Sequence, residues 1–355
     1  MIRVNTNLKS IEGYKPSDRG NEEVAKLDWN ECNLPIDEKY YSILRSAIAS
    51  INFTEYPNIN HERLINKLAA YCRLSADQIQ IFNGSDSALS YVFTTFLNPD
   101  TKVLIFYPHY SQVETYIKVF TDNINYSNIV DVFGAHTYST SDIEQNDVIY
   151  LSNPNNPTGH FLDAKIVEGL LSKYPDKLFI IDEAYYEFCG YSCVHLVKEH
   201  KNIIVSRTFS KAFSLASARL GYICCNKELL HHIDKIRNTK EVNSFAQALG
   251  EAALDNFSYI QDRVDLVNEN MSIFKTGLKE LQVDFVDSKA NFVLIKIAEV
   301  GKLIKKLKEY KILVRDRSSF AGLENCVRIS IGTKEEMGKI LAVIKEHKSQ
   351  FQNGN

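Results

Sequence analysis

Val148-Ile149-Tyr150-Leu151-Ser152-Asn153-Pro154-Asn155-Asn156-Pro157-Thr158-Gly159 is the stretch whose reading decides the fold. Its first five residues, rich in β-branched and aromatic side chains, read as a buried strand, and the Asn, Pro and Gly run that follows reads as a turn. The same pattern recurs on either side. Ile79–Phe82 runs into Asn83-Gly84-Ser85 and a helical stretch from about Asp86 to Leu97. Val103–Tyr107 runs into Pro108-His109-Tyr110, Leu178–Asp182 into Glu183-Ala184-Tyr185, and Ile203–Ser206 into Arg207-Thr208-Phe209-Ser210-Lys211. One more strand is predicted over Leu220–Cys224, and helical periodicity fits 37–49 and 62–72, where Leu64, Leu68 and Tyr71 share a face. Repeated alternation of short apolar strands with amphipathic helices implies a largely parallel sheet covered by helices on both faces.

Beyond about residue 225 the texture changes. Helical patterns occupy 227–238 and 244–281, a strand 292–297, a helix 302–310, strands 312–315 and 327–331, and a terminal helix starts near Lys334. The expectation is a three-layer α/β/α large domain over 36–255 with a mostly parallel sheet, and a smaller α+β domain made of 1–35 with 256–355.

Composition narrows the function classes. The chain has 355 residues, Lys+Arg 41 against Asp+Glu 44, and a formal net charge of −3, which gives no broad field for nucleic acid or an anionic membrane. Its apolar runs are strand-sized, too short for a bilayer, and no signal-peptide pattern opens it. Seven irregularly spaced cysteines read as reduced thiols of a cytoplasmic protein, and Cys189, Cys193 and His195 lack the second ligand pair of a zinc site. There is no G-x-G-x-x-G, G-x-x-x-x-G-K, H-E-x-x-H or G-x-S-x-G.

The informative residues follow strand ends, where open α/β sheets gather ligands. Taken singly they stay ambiguous. Asp182 reads as a helix cap or as a buried anion needing a cationic partner, Lys211 as a solvated loop lysine or a nucleophile, Tyr110 as core or as a stacking platform. Taken in order, Asn155-Asn156-Pro157-Thr158-Gly159, Asp182-Glu183-Ala184-Tyr185, and Ser210-Lys211 with Arg219 eight residues on resemble the aspartate-aminotransferase superfamily of fold type I pyridoxal-phosphate enzymes. The motifs span about residues 84 to 332.

That resemblance implies pyridoxal 5'-phosphate as cofactor and a role for each residue. Lys211 matches the lysine that holds the cofactor aldehyde, and Asp182 the carboxylate facing the ring nitrogen, where an anion favours the protonated pyridinium. Tyr185 and Asn156 match the pair on the 3-hydroxyl oxygen, and Tyr110 the aromatic stacked on the ring. Thr208, Ser210 and Arg219 match phosphate ligands, beside the Gly84-Ser85-Asp86 turn whose N–H groups open a helix. Asp86 is expected to cap that helix with its carboxylate turned from the phosphate. Tyr56, before Pro57, resembles the tyrosine that reaches the neighbouring subunit's phosphate, which implies a homodimer.

Ala290-Asn291-Phe292, Ile312-Leu313-Val314-Arg315-Asp316 and Cys326-Val327-Arg328-Ile329-Ser330-Ile331-Gly332 look like the histidinol-phosphate aminotransferase branch. In that branch Arg328 grips a substrate carboxylate or phosphate, Arg315 is a candidate second anion ligand or a surface ion pair, and Tyr14 loosely matches a substrate-facing tyrosine. Trp29-Asn30-Glu31-Cys32-Asn33-Leu34-Pro35 and Ser87 depart from the branch pattern near the substrate side. The implied activity is amino transfer from a small phosphorylated amine to a 2-oxo acid, commonly 2-oxoglutarate, in amino-acid biosynthesis. The alternative is decarboxylation of an amino-acid phosphate of the threonine-phosphate or serine-phosphate type, with the same lysine and aspartate. No metal is expected.

Overall fold

The computed structural model describes Asn7, Ile11 and residues 24–128, 132–133 and 140–352; Tyr14 lies outside the described residues. In chain order the first elements are β1 (Ala25–Lys26), α1 (Glu38–Ala49), α2 (Glu62–Cys72), β2 (Ile79–Phe82), α3 (Ser85–Phe96), β3 (Val103–Tyr107), α4 (Ser111–Lys118) and β4 (Ile124–Asn128). Then come α5 (Thr140–Glu144), β5 (Val148–Ser152), α6 (Ala164–Lys173), β6 (Leu178–Asp182), α7 (Tyr186–Cys189), β7 (Ile203–Thr208) and β8 (Gly221–Cys225). The last part holds α8 (Lys227–Asp234), α9 (Ser244–Asp255), α10 (Phe257–Glu280), β9 (Asp284–Phe285), β10 (Phe292–Lys296), α11 (Val300–Glu309), β11 (Ile312–Leu313), β12 (Arg315–Asp316), β13 (Cys326–Ser330) and α12 (Lys334–Gln352).

Seven strands form the central sheet in the order β2-β8-β7-β6-β5-β3-β4. β8 pairs antiparallel with both β7 and β2, so it alone runs against the other six. Strand alternation divides the side chains between two cores. Ile149, Ile181, Val205 and Tyr222 enter one cluster, while Tyr150, Ile180, Ile204 and Ile223 enter the other. Helices α3, α4 and α8 cover the second face through residues such as Leu89, Ile117 and Ile233. Helices α2, α6, α9 and α10 cover the first through Leu68, Leu171, Ala246 and Phe274. The result is the three-layer α/β/α arrangement.

The second sheet, ordered β12-β13-β10-β9, is antiparallel, and its Phe292, Ile295 and Ile329 belong to the same cluster as the first face of the large sheet. β1 pairs in parallel with β11. That contact carries the segment after Lys26 back to the large sheet, and the Leu27 N–H donates to the Leu313 carbonyl at 2.9 Å.

The differences from the sequence reading are local. The predicted 244–281 helix is two helices, because the chain leaves helical geometry at Asn256, whose side chain bonds back to the Ala252 carbonyl at 2.8 Å. The edge strand β4, Ile124–Asn128, escaped the sequence reading because Asn125, Ser127 and Asn128 dilute its apolar pattern.

One close approach couples sheet to site. A Cβ on Gly221 would lie 2.3 Å from the Ser85 nitrogen and 2.6 Å from the Gly84 carbonyl carbon. Only glycine lets the start of β8 pass beneath the first turn of α3. Gly221→Ala should therefore cost about 1–3 kcal/mol in chemical denaturation through forced backbone movement. Gly169→Ala, in α6 with nothing within 4 Å of the new methyl, should be stabilising by about 0.5–1 kcal/mol. Equal effects from the two would refute this account of Gly221.

Candidate active site

The strand order decides what meets. β2, β3, β5, β6 and β7 all end at one edge of the sheet, so Gly84, Tyr110, Asn156, Tyr185 and Lys211 emerge there on the following turns. β8 runs the other way and begins at that edge, which brings in Arg219 from just before it. Ser85, Asp86, Tyr110, Asn156, Asp182, Tyr185, Thr208, Ser210, Lys211, Arg219, Arg315 and Arg328 line a single cavity of about 550 Å³. Gly84 caps the helix that ends in this cavity. Tyr56 lies elsewhere, 78% exposed beside Lys240, whose amine sits 4.5 Å from its ring centroid.

Two groups of opposite charge, Asp182 buried and Lys211 partly buried, dominate the wall. Asp182 accepts the Tyr150 hydroxyl at 2.7 Å on Oδ2 and the Ala184 N–H at 3.1 Å on Oδ1. Burial raises its pKa to about 6, against the pull of those two donors. Lys211 donates from Nζ to the Trp29 carbonyl at 2.8 Å. Burial, and then the charge of Arg328, lower its pKa to about 8. The Tyr185 hydroxyl accepts from Asn30 Nδ2 at 2.9 Å and Asn156 Nδ2 at 3.3 Å. Burial raises the Tyr185 pKa, with Arg328 as the leading opposing influence. Arg328 in turn donates to Asn156 Oδ1 at 2.5 Å and to the Asp28 carbonyl at 2.6 Å. The chain Arg328–Asn156–Tyr185–Asn30 fixes one phenol hydroxyl through two donors.

At the other end, Gly84 opens α3 with φ +88 and no side-chain cap. The first N–H groups of a helix of this length attract an anion. Arg219, itself left-handed at φ +54, donates to Ser210 Oγ at 3.4 Å and to the Ala216 carbonyl at 3.1 Å. A Cβ on Gly84 would lie 2.8 Å from Arg219 Nη2, so glycine here makes room for the guanidinium as well as for the turn.

Asp86 departs from its expected role. Gly84, not Asp86, is the cap, and the Asp86 carboxylate turns toward Arg219, 3.4 Å from Nη2, while accepting the Tyr110 hydroxyl at 3.2 Å. It sits in the first turn, where a negative charge is favoured by the helix dipole and by the guanidinium together. Several groups that line the cavity, or stand behind it as Tyr150 does behind Asp182, were not singled out in the sequence. Tyr150 lies two places before Ser152 on β5 and reads there as core. Arg317 lies two places after Arg315, a spacing that puts both on one face of a strand. Asn30 and the Trp29 carbonyl fall inside the segment that departs from the branch pattern, so that departure was their only signal.

The model of the family "aminotransferase class I and II" matches residues 23–344. The chain belongs to this family. Among its relatives, a dihydroxyacetone phosphate transaminase of Campylobacter jejuni is 33% identical, over 97% of this chain and 97% of that protein. A histidinol-phosphate aminotransferase of Lactococcus lactis subsp. cremoris is also 33% identical, over 96% of each. Among solved structures, histidinol-phosphate aminotransferase from Sinorhizobium meliloti, in complex with pyridoxal-5'-phosphate, aligns with TM-score 0.86 at 22% identity over 98% of this chain and 97% of that one. The L-threonine-O-3-phosphate decarboxylase from Porphyromonas gingivalis aligns with TM-score 0.79 at 23% identity, over 92% of this chain and 100% of that one, a likeness of fold alone. The protein is thus an aminotransferase of class I and II, similar over nearly its whole length to histidinol-phosphate aminotransferases, with the aspartate-aminotransferase-like α/β fold expected from its sequence.

For this aminotransferase the buried carboxylate has a stability consequence. The folded pKa of Asp182 lies above its ordinary value of 3.8. The cost of burying the charge is therefore absent below about pH 4 and grows as pH rises through about 6. In the cofactor-free protein, Asp182→Asn should raise unfolding free energy at pH 8 by about 1–3 kcal/mol, and the gain should shrink as pH falls toward 5. A denaturation series at both pH values checks this; a gain independent of pH would contradict it.

Proposed function

We propose that this protein transfers the amino group of a small phosphorylated amine, histidinol phosphate first, to a 2-oxo acid such as 2-oxoglutarate. The observation that carries the substrate class is the β12–β13 pairing. Arg315 and Arg328 are direct register partners on the cavity wall, a pair of guanidiniums suited to an anionic group by planar, bidentate contacts. Both relatives described above carry a phosphate ester in the name of their substrate.

The residues present suit pyridoxal phosphate. Lys211 would hold the aldehyde carbon, Asp182 the ring nitrogen, Tyr185 and Asn156 the phenolic oxygen, and Tyr110 the ring face. The Gly84–Ser85 turn, Asp86 through its backbone, Thr208, Ser210 and Arg219 would take the phosphate. The glycine turn whose Cβ would collide with Arg219, and a dry carboxylate held by two donors, are features this cofactor would use. When bound, the cofactor supplies an electron sink that lowers the cost of breaking a bond at the substrate Cα. Lys211 does the proton work: with its pKa lowered toward 8, a useful fraction of the amine is neutral near neutral pH and can take the Cα proton and return it. The Trp29 carbonyl orients that amine from one side. Arg328 and Arg315 hold the substrate anion at the opposite wall.

Assembly is part of the proposal. Tyr56, Phe53 and Ile59 are 78%, 70% and 45% exposed on one loop, an apolar surface that a second copy of the chain would cover. In such a homodimer Tyr56 of the partner subunit would complete the phosphate site. The seven free cysteines suit a reducing, cytoplasmic setting. Among the described residues no helix is long and apolar enough to cross a membrane.

A second substrate reading rests on the Campylobacter jejuni relative: a three-carbon phosphate such as dihydroxyacetone phosphate, accepting its amino group from an amino acid. The two readings separate in half-reactions. Mixing the holoenzyme with histidinol phosphate, with serinol phosphate and with their unphosphorylated forms should convert the cofactor absorbance for one phosphorylated amine only. Lys211→Ala should lower the rate at least about 10²–10⁴-fold, and Arg328→Ala should slow phosphorylated amines far more than unphosphorylated ones, which lose only the support Arg328 gives Asn156 and Lys211. Stoichiometric carbon dioxide release without consumption of an oxo acid would replace both readings with the decarboxylase.

The lowered lysine pKa is separately testable. Only the neutral amine is nucleophilic, so labelling of Lys211 in the cofactor-free protein by an amine-selective reagent should rise half-maximally near pH 8, read by peptide mass spectrometry. A midpoint at the ordinary lysine value would contradict the proposed proton carrier.

A further inference from the structure

The β12–β13 hairpin turns three arginines toward the cavity, and the reading above uses two. Arg315 is the register partner of Arg328. The ladder continues one step further, where the Arg317 N–H donates to the Cys326 carbonyl at 3.0 Å. Positions 315 and 317 are therefore two apart on one extended segment and share a face with Arg328. All three guanidinium-bearing residues line the cavity that holds Lys211.

The third of them is not on a loose loop. The Arg317 guanidinium carbon lies 5.5 Å from the Phe320 ring centroid, and the Phe320 N–H donates to the Arg317 carbonyl at 3.0 Å. The Phe320 ring is 5.9 Å from that of Tyr107, whose hydroxyl accepts the Ala321 N–H at 2.7 Å. The loop after β12 is thus tied to the end of β3. The charge of Arg317 also reaches Tyr185, where it opposes part of the effect of burial.

We propose that Arg317 is a specificity-determining residue that reads the second negative charge of a phosphate monoester, so that the site prefers a phosphate dianion over a monoanion of the same shape. This rests on the phosphorylated-amine reading and goes further in assigning the charge state that is recognised. Two guanidiniums suffice to pair a carboxylate or a sulfate ester. A phosphate ester near neutral pH carries a charge of about −1.5 to −2 with a second pKa of about 6, and the additional charge gives a third guanidinium a partner. Selectivity of this kind is a difference of affinities, and it survives only if the third cation gains more from the dianion than from the monoanion.

The test uses the cofactor-loaded enzyme and two probes of matched shape, propyl phosphate and propyl sulfate, with affinities measured calorimetrically at pH 7.5 and below 6. The wild type should bind the phosphate more tightly, and its advantage should fade as the phosphate takes its second proton. Arg317→Gln should lose about tenfold in affinity for propyl phosphate, change little for propyl sulfate, and lose most of the pH-dependent advantage. Arg317→Lys, which keeps the charge without the planar fork, should fall between and serves if the glutamine variant does not fold. An equal loss for both probes, or no loss for either, overturns the role of Arg317. Failure of the underlying reading looks different: propyl phosphate would then bind neither the wild type nor Arg317→Lys, and an amine without phosphate would drive the half-reaction as fast as its phosphorylated form.

Discussion

An ammonium and a carboxylate, both of which water would solvate at once, are withdrawn into the wall of one cavity, the carboxylate fully and the ammonium in part. Lys211 and Asp182 are pushed by burial toward neutrality from opposite sides, to about 8 and about 6. Neither shift is a stabilising contribution; each is a cost that the rest of the sheet must carry. Asp182 meets that cost with the hydroxyl of Tyr150 and the N–H of Ala184, Lys211 with the carbonyl of Trp29. Those partners come from a strand interior, a strand-end turn and a segment near the chain start, so the site exists only when the large sheet and the β1–β11 pairing are both in place.

The topology explains why these residues, far apart in sequence, form one site. Five strands deliver turns to the same edge, and the reversed β8 delivers the segment before it rather than after it. Behind the edge, on the opposite face of β6 and β7, Glu183 and Arg207 form a buried pair at 3.0 Å, and the Glu183 N–H bonds to the Ser206 carbonyl at 2.8 Å. Each member is the neighbour in sequence of a cavity residue, Asp182 or Thr208. Alternation sends the ion pair one way and the site residues the other, and the pair locks the spacing of two strand ends.

Strand periodicity and turn chemistry made the large sheet legible: the runs at 79–82, 103–107 and 148–152 coincide with strands because each apolar block is closed by Asn, Gly or Pro, and the run at 178–182 is opened by Pro175 and closed by its own Asp182. Periodicity could not show that helix breaks at Asn256, since the apolar stripe continues across it, nor that β4 joins the edge of the sheet, since an edge strand need not be apolar. Within the site, residues that touch through side chains at turns were visible. Those that act through geometry were not. Tyr150 is a core tyrosine to any sequence reading, and its bond to Asp182 appears only when β5 and β6 are laid side by side in register. The contribution of Trp29 is a carbonyl, which no residue identity reveals. Asp86 was expected to cap because acidic residues at a helix start usually do; here glycine is required by the approach of Arg219, and the acid falls two residues after the cap, in the first turn, where it faces that guanidinium.

The cavity has two ends built from different material. Rigid strand ends of the seven-stranded sheet and the start of α3 form one, and the β12–β13 hairpin of the second sheet forms the other. In the proposed reading, a change at positions 315 or 317 would alter what anion is gripped without moving Gly84, Asp182 or Lys211, because those are held by a separate hydrogen-bonded frame. Arg328 is the exception. It bonds to Asn156 and lowers the pKa of Lys211 by its charge, so the gripping end also sets the field at the reacting end. An anion seated between Arg328 and Arg315 offsets that positive field, and by Coulomb's law it moves the lysine pKa upward at the moment a substrate is bound. On the proposed function, substrate charge and lysine basicity would thereby be coupled through one guanidinium, tying the ability of Lys211 to take a proton from Cα to the presence of the correct anion at the far wall.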